Sequence, residues 1–262
     1  MNVHHSTNIH TSAIIEKGAI IGKNCTVGPF CYLGSEVVLS ENTTLISHVS
    51  ITGDTLIGEN TKIWPFASIG HDPQDLKFAG EKTKLIIGQN NKIRESVSIN
   101  PGTTGGGGIT LIGDNCLLMA YVHIGHDCIL GDNIVLANMA TLGGHVSIDN
   151  NTSLGGGVLV HQFCKIGEHS LVGGGLRVVQ DIPPYIIANG QPLKFSGINS
   201  LGLRRRDFNI NQRKNIKQAY KIIYNSNLNR TQALEKLIQD FSSINEIKII
   251  IKFIKNSDRG LI

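Results

Sequence analysis

A parallel β-helix followed by a small helical domain is the fold class that this 262-residue sequence predicts. Three observations carry the prediction. An aliphatic residue recurs at every sixth position over most of the chain. The composition is rich in glycine, with 30 residues, and poor in aromatics, at 5%. Beyond residue 200 the six-residue step gives way to helical spacing and a strongly basic charge.

The six-residue step comes first because internal repeats override other signals. From Ile15 it passes through Ile21, Val27, Leu33, Leu39, Leu45, Ile51, Ile57 and Ile63 to Ile69. It resumes at Ile87, Ile93 and Ile99, then runs from Ile112 through Leu118, Ile124, Leu130, Leu136, Leu142, Ile148, Leu154, Val160, Ile166 and Val172 to Val178. No polar residue interrupts it. Two residues ahead of each rung lies a small or β-branched residue such as Ala19, Val49, Val97, Val122 or Val158. A hexad repeat of this kind marks short strands wound into a solenoid, with the rungs filling its interior. The repeat resembles that of the bacterial hexapeptide acyltransferases, which implies three strands and eighteen residues per coil, hence about eight coils and a prism roughly 40 Å tall at ~4.8 Å per coil. Because each coil is buried only by its neighbours, both ends need covering.

Cys25, Cys31, Cys116, Cys128 and Cys164 all occupy the small inward position, and none forms a CxxC pair. They read as small hydrophobes, and an odd count of such residues suits a reducing cytoplasm. The first ten residues are polar rather than signal-like, and no apolar run approaches the ~20 residues that span a bilayer. A cytoplasmic protein without membrane insertion is expected.

The period breaks twice, at 71–84 (HDPQDLKFAGEKTK) and at 100–109, around PGTTGGGG. Neither stretch supplies inward aliphatics on the step, so both are expected as loops thrown out from the prism, where binding residues concentrate. The repeat ends at IPPY (182–185), which places a β-helix domain over 1–190 and a helical domain over 191–262.

The tail turns helical from about Asn211, with Ile216, Ala219, Tyr220 and Ile223 on one side. Asn229 with Gln232, and Ser243 with Glu246, have the spacing of helix-start capping boxes, and three short helices are expected. Residues 200–262 hold 13 Lys and Arg against 5 Asp and Glu, whereas the net charge of the whole chain is only +4. Arg204, Arg205, Arg206, Arg213, Lys214, Lys217 and Lys221 crowd the entry to the tail. Such a run is usually a solvated face; its functional reading is docking of an acidic partner or a phosphate. Nucleic acid is disfavoured because no aromatics are interleaved to stack bases.

An eighteen-residue coil puts Ile124, Leu142 and Val160 on one face in successive coils. His123 and His126 flank the first rung, His145 lies three residues past the second, and His161 follows the third. One surface histidine means little, but a register set by unrelated aliphatics gathers these four. Three imidazoles suit zinc, and one imidazole oriented by a carboxylate suits a general base. Asp127 is the nearest carboxylate to His126, although neighbours on a strand point to opposite faces, so the sequence leaves their pairing open. Gly143 and Gly144 leave backbone exposed where an N–H can face an oxyanion.

The motifs PQDLKFAGE (73–81), IRESVSI (93–99), HIGHDC (123–128), LGGHVSID (142–149), VHQFCKIG (160–167) and QDIPPY (180–185) identify a resemblance. Together they resemble the UDP-N-acetylglucosamine 3-O-acyltransferases of lipid A biosynthesis, within the hexapeptide-repeat acyltransferases. The resemblance runs end to end and implies a left-handed helix, a hand that spacing alone does not give. It implies transfer of a 3-hydroxyacyl chain from acyl carrier protein to the 3-hydroxyl of UDP-N-acetylglucosamine, without cofactor or metal, by a homotrimer with sites between subunits. By motif, His126 is the general base, Asp127 its partner and Gly144 the oxyanion donor. Gln74, Asp75, Lys77, His123, His145, His161, Gln162, Asn199 and Arg205 bind the sugar nucleotide. Gly174 stands at the acyl-chain ruler, where a glycine leaves room for a long chain, unless it merely serves the GGG turn at 173–175. Carrier docking falls to Arg204, Arg206, Lys214 and Lys217.

Two positions depart from the family pattern: Pro101 replaces a common Arg, and Leu201 replaces a nucleotide-contacting Glu. The alternatives are the later N-acyltransferase of the same pathway, disfavoured because the repeat already runs by Ile15, and a zinc hydratase of the γ-carbonic-anhydrase type. A non-catalytic scaffold is the third.

Overall fold

A computed structural model describes residues 2–262 as a three-sided prism of parallel strands with four helices at one end. Face A stacks nine strands, from Asn2–Val3 to Lys165–Ile166. Face B stacks eleven, from Asn8–Ile9 to Lys194–Ile198. Face C stacks nine, from Ile14–Ile15 to Arg177–Val178. Most strands are two residues long, with the first facing out and the second in. The register steps by eighteen residues, as in Ile124↔Leu142 and Leu142↔Val160. The rungs from Ile21 to Val178 form the core and are almost wholly inaccessible, as are all five free cysteines. Burial pushes the cysteine thiols up, Cys116 to about 11 and Cys128 to about 12, which suits inert packing groups.

The repeat begins earlier than the sequence reading had it. The strands Asn2–Val3 and Asn8–Ile9 already pair with Ile20–Ile21 and Thr26–Val27, so the first coil precedes Ile15. Stepping back by six from Ile15 meets Ile9 and Val3, a signal available in the chain. At the other end Ile166 still bridges to Ile182, and Ile186–Asn189 pairs in parallel with Leu171–Val172. The coil therefore continues past Val178 on face B before Lys194–Ile198 turns back antiparallel.

Most bends of the prism use a residue in the left-handed region. Between faces A and B that residue is Asn24, Asn42, Asn60, Asn90, Asn115, Asn133 and Asn151 in turn, with φ of 55–62°. Asparagine tolerates this region better than other non-glycine residues because its short amide bonds locally. The next corner, between B and C, instead carries Phe30, His48, Phe66, Tyr121 and Met139 in the same conformation. The corner between C and A carries Asp127, His145 and Phe163, and both out-looped segments leave from it.

The tail holds α1 (Ser200–Arg205), α2 (Ile210–Tyr224), α3 (Arg230–Phe241) and α4 (Asn245–Lys255). Four helices thus replace the expected three, because the six-residue α1 is too short to show a period. Asn229 and Gln232 form the expected capping box, and Asn209 with Gln212 forms a second one. The Ser243–Glu246 box does not form: α4 starts after Ile244, and the Glu246 carboxylate is buried, accepting a hydrogen bond from Gln212 Nε2 at 2.6 Å. Fully buried Asp181 pins the C-terminal segment by accepting from Lys165 N at 2.8 Å and Ser257 Oγ at 2.7 Å. Phe195 stacks on Tyr224 and Tyr220 at 4.5 and 5.4 Å, closing the prism end.

His169 takes the asparagine position in the last coil, wedged against Tyr185 and Phe208. Burial, and then the charge of Arg206, push its imidazole down to about 4. Since the unfolded chain takes up that proton near 6.5, the packing contributes its full stability above pH 6.5 and loses it as the pH falls towards 4. Up to about 3 kcal/mol should disappear across that window, and denaturation of His169→Gln at several pH values should show a flatter profile. At the asparagine corner, Asn133→Val should cost about 1–2 kcal/mol in chemical denaturation, while Asn133→Gly should cost well under that.

Candidate active site

The corner between faces C and A gathers His123, His126, His145 and His161. His123 lies on the strand His123–Ile124, and its Nδ1 hydrogen-bonds Ser98 Oγ on the preceding coil at 2.8 Å. The chain then turns at Gly125-His126-Asp127. Because Asp127 sits in the left-handed region with φ 59°, its side chain does not alternate away from His126 as it would on a strand. It folds back, and His126 Nδ1 meets Asp127 Oδ2 at 2.7 Å. The pairing that the sequence left open is therefore made, and the turn conformation is the reason.

The Asp127 side chain is fully buried. Its Oδ1 accepts from Thr103 N at 2.9 Å and its Oδ2 from Thr103 Oγ1 at 2.7 Å, both from the glycine-rich loop. A carboxylate only accepts, so His126 Nδ1 carries the proton and Nε2 offers a lone pair. On the next coil Gly144 lies directly against the His126 ring: a Cβ there would fall 2.6 Å from Cε1 and Nε2. Among the described residues Gly144 N–H has no hydrogen-bond acceptor, whereas Gly143 N and His145 N bond Val160 O and His126 O. An unpaired donor thus sits beside an unpaired ring nitrogen.

His145 stands edge-on to His126, with ring centroids 5.0 Å apart, and stacks on Phe163 at 4.4 Å. Burial holds the imidazoles of His123 and His145 below their usual range, and the charge of His126 lowers both further. For His145, Asp127 and Asp75 oppose the shift, which places Asp75 of the 71–84 loop in electrical contact with the cluster. His161 and Gln162 occupy the same corner one coil on, and His161 Nδ1 lies 3.0 Å from Gln162 O. Gln74 and Lys77 are exposed on the loop, whose backbone turns around Asp75 through Lys77 N.

The other expected site residues lie elsewhere. Asn199 and Arg205 line a cleft of about 510 Å³ on face B with Ser153, Leu171 and Ile187. The Asn199 side chain caps α1 and donates to His169 O. Gly174 is exposed at the corner between B and C, directly above Gly156. One chain therefore does not bring these three to His126. Of the four docking residues, Arg204, Lys214 and Lys217 are exposed. Arg206 instead donates to Asn151 Oδ1 at 3.0 Å and packs against the prism.

His126, Asp127 and His145 offer ligand atoms within 4.8 Å of one another, the one metal-like grouping among the described residues. A metal would have to displace the hydrogen bonds that engage both Asp127 oxygens, so the donor set fits the base-and-orienter reading better than a zinc centre. Thr103 and Thr110, whose Oγ1 accepts Asp127 N at 2.8 Å, were missed in the sequence. Both lie at or beside the second break in the repeat, and that break was the available signal.

The family model described as "Udp N-acetylglucosamine O-acyltransferase; Domain 2" matches residues 181–262, and a bacterial transferase hexapeptide model matches 109–144. An acyl-[acyl-carrier-protein]–UDP-N-acetylglucosamine O-acyltransferase of Myxococcus xanthus is 46% identical over 80% of this chain and 81% of its own. Its counterpart in Nautilia profundicola is 48% identical over 78% and 79%. Among solved structures, the UDP-N-acetylglucosamine acyltransferase of Bacteroides fragilis is 42% identical and superposes with a TM-score of 0.90, covering 99% of both chains. That of Campylobacter jejuni, at 36% identity, gives 0.91 over 97% and 98%. The left-handed prism with its helical tail is the fold they share. By these matches along its length, the chain belongs to the UDP-N-acetylglucosamine O-acyltransferase family.

Proposed function

We propose that the protein transfers a 3-hydroxyacyl chain from acyl carrier protein to the 3-hydroxyl of UDP-N-acetylglucosamine, the first step of lipid A synthesis, in the cytoplasm. The observation that carries the mechanism is the His126 Nδ1–Asp127 Oδ2 bond of 2.7 Å, which leaves Nε2 free beside the open N–H of Gly144. The sugar 3-hydroxyl oxygen attacks the thioester carbonyl carbon as its proton passes to His126 Nε2. The oxyanion of the tetrahedral intermediate faces Gly144 N–H. Collapse breaks the C–S bond, and the carrier thiolate leaves with the proton from His126. Neutral His123 and His145 suit hydrogen bonding to the sugar rather than repulsion of the protonated base. Gln74, Asp75 and Lys77 cover the sugar nucleotide from the loop above, with His161 and Gln162 below.

A homotrimer completes the site. Asn199, Arg205 and the ruler position Gly174 lie away from the His126 corner, so they reach a substrate held there only from a neighbouring copy. The corner between B and C supports such packing: Phe30, Phe66, Tyr121 and Met139 are each more than 60% exposed. Side chains of this size in the left-handed region are costly and unlike the asparagines of the neighbouring corner. Carrier protein docks on the basic tail, where Lys214, Lys217 and Lys221 rim a groove of about 710 Å³ floored by Phe195, Ile198 and Tyr220.

His126→Ala should lower kcat about a thousandfold with purified hydroxyacyl carrier protein and UDP-N-acetylglucosamine, while sedimentation still reports a trimer. Near-normal turnover would remove His126 from the mechanism. The pair Lys214→Glu and Lys217→Glu should raise KM for the carrier-linked donor about tenfold at low salt, with KM for the sugar nucleotide unchanged and the difference shrinking at high salt. An unaltered donor KM would move docking off this groove.

A further inference from the structure

The glycine-rich loop is not accounted for by substrate binding, and its contacts face inward. Thr103 is 5% exposed and so lies out of reach of a substrate. It places its backbone N–H on Asp127 Oδ1 at 2.9 Å and its hydroxyl on Asp127 Oδ2 at 2.7 Å. The oxygen that takes the hydroxyl is the same one that takes His126 Nδ1–H, also at 2.7 Å. Gly106 closes over the carboxylate from the same loop: a Cβ there would fall 2.1 Å from Asp127 Cγ and 2.3–2.4 Å from its two oxygens. Its neighbour Gly105 has open space around its Cβ position and no left-handed φ. Of these two glycines, then, only Gly106 is required by contact with the carboxylate.

The loop is also tied to its partner loop. Thr104 Oγ1 donates to Glu81 Oε1 at 3.3 Å, and Glu81 Oε2 accepts Ala79 N at 2.8 Å. Asn100 Nδ2 donates to His71 O and Asp72 O at 3.0 Å, fixing the base of the loop that carries Gln74, Asp75 and Lys77. The segment that faces the sugar nucleotide is thereby joined through hydrogen bonds to the segment that holds the orienting carboxylate.

We propose that Thr103 is a positioning residue for the His126–Asp127 pair, with Gly106 as the close-fitting cover of the carboxylate. The proposal rests on the reading of His126 as the base. Thr103 fixes the Asp127 carboxylate against rotation, so its Oδ2 stays in line with Nδ1–H and Nε2 stays aimed at the substrate hydroxyl. By sharing Oδ2 it also draws off part of the charge that would otherwise fall on the imidazole. The other titratable or charged groups around the pair are His123, His145, Asp75 and, at the loop contact, Glu81.

The test is a pH–rate series on the intact protein with hydroxyacyl carrier protein and UDP-N-acetylglucosamine. Thr103→Val keeps the volume and removes only the hydroxyl donor. It should lower kcat about tenfold, change either KM less than about threefold, and move the acid limb of kcat/KM to higher pH by a few tenths of a unit. The limb moves up because Asp127 Oδ2 then bonds His126 alone and makes Nε2 more basic, while Thr103 N stays on Oδ1. Thr103→Ser should restore both rate and limb. Gly106→Ala should lose activity where Gly105→Ala keeps it, with both variants checked for assembly by sedimentation. The proposal is overturned if Thr103→Val keeps the parent kcat and acid limb while His126→Ala is inactive. Equal losses from Gly105→Ala and Gly106→Ala, or a rate loss in Thr103→Val with an unmoved limb, overturn it too, reducing the loop to a structural role. Activity in His126→Ala would instead fell the underlying assignment of the base.

Discussion

Everything in this molecule depends on the vertical hydrogen bonding between coils. His123 N bonds Ala140 O, Thr141 N bonds Val158 O, and Leu159 N bonds Leu176 O, each a link to the next coil. Parallel strands space these bonds evenly, so residues eighteen apart are held over one another at one strand spacing. The interior pays nothing for variety beyond size: isoleucine, leucine, valine, cysteine and alanine all fill the rungs. The corners carry the individuality, because each coil must bend there and the side chains are pushed outward into columns.

The three corners use the same left-handed bend for different ends. Asparagine relieves it locally along one edge. Aromatic residues and Met139 hold it at another, exposing apolar surface that suits a partner copy. At the third, the bend turns Asp127 back upon His126 and stacks His145 against Phe163. Glycine at 144 is required by the His126 ring, which leaves no room for a Cβ, and its backbone N–H stays unpaired among the described residues, as the proposed oxyanion role needs. Burial at this corner lowers the imidazoles of His123 and His145 from their usual range by making their charged forms costly.

The distribution of residues over the faces explains why the sites fall between subunits in the proposed assembly. A convex prism has no deep interior cleft, since its core is filled by the rungs. The proposed assembly would bind the sugar nucleotide and acyl chain between the histidine corner of one prism and the face B cleft and Gly174 of another. The basic tail stands at the prism end, and the proposed docking of an acidic carrier there leaves the stacked coils undisturbed.

Much of this was legible in the chain. The rungs, the two breaks and the inward cysteines follow from the six-residue spacing, and the alignment of His123, His126, His145 and His161 follows once the resemblance sets three strands to a coil. The first coil was equally readable at Val3 and Ile9, and so were the corner asparagines, which recur at the coil period. The motifs also carried the family and hence the reaction. Tertiary structure alone decided three things. The pairing of Asp127 with His126 depends on a φ angle at one turn. The anchoring of that carboxylate by Thr103 depends on how a loop of glycines folds over it. The separation of Asn199, Arg205 and Gly174 from the base depends on which corner each coil position reaches. Spacing specifies which residues stack, whereas side-chain direction at a bend and the path of an inserted loop are set by contacts between segments far apart in the chain.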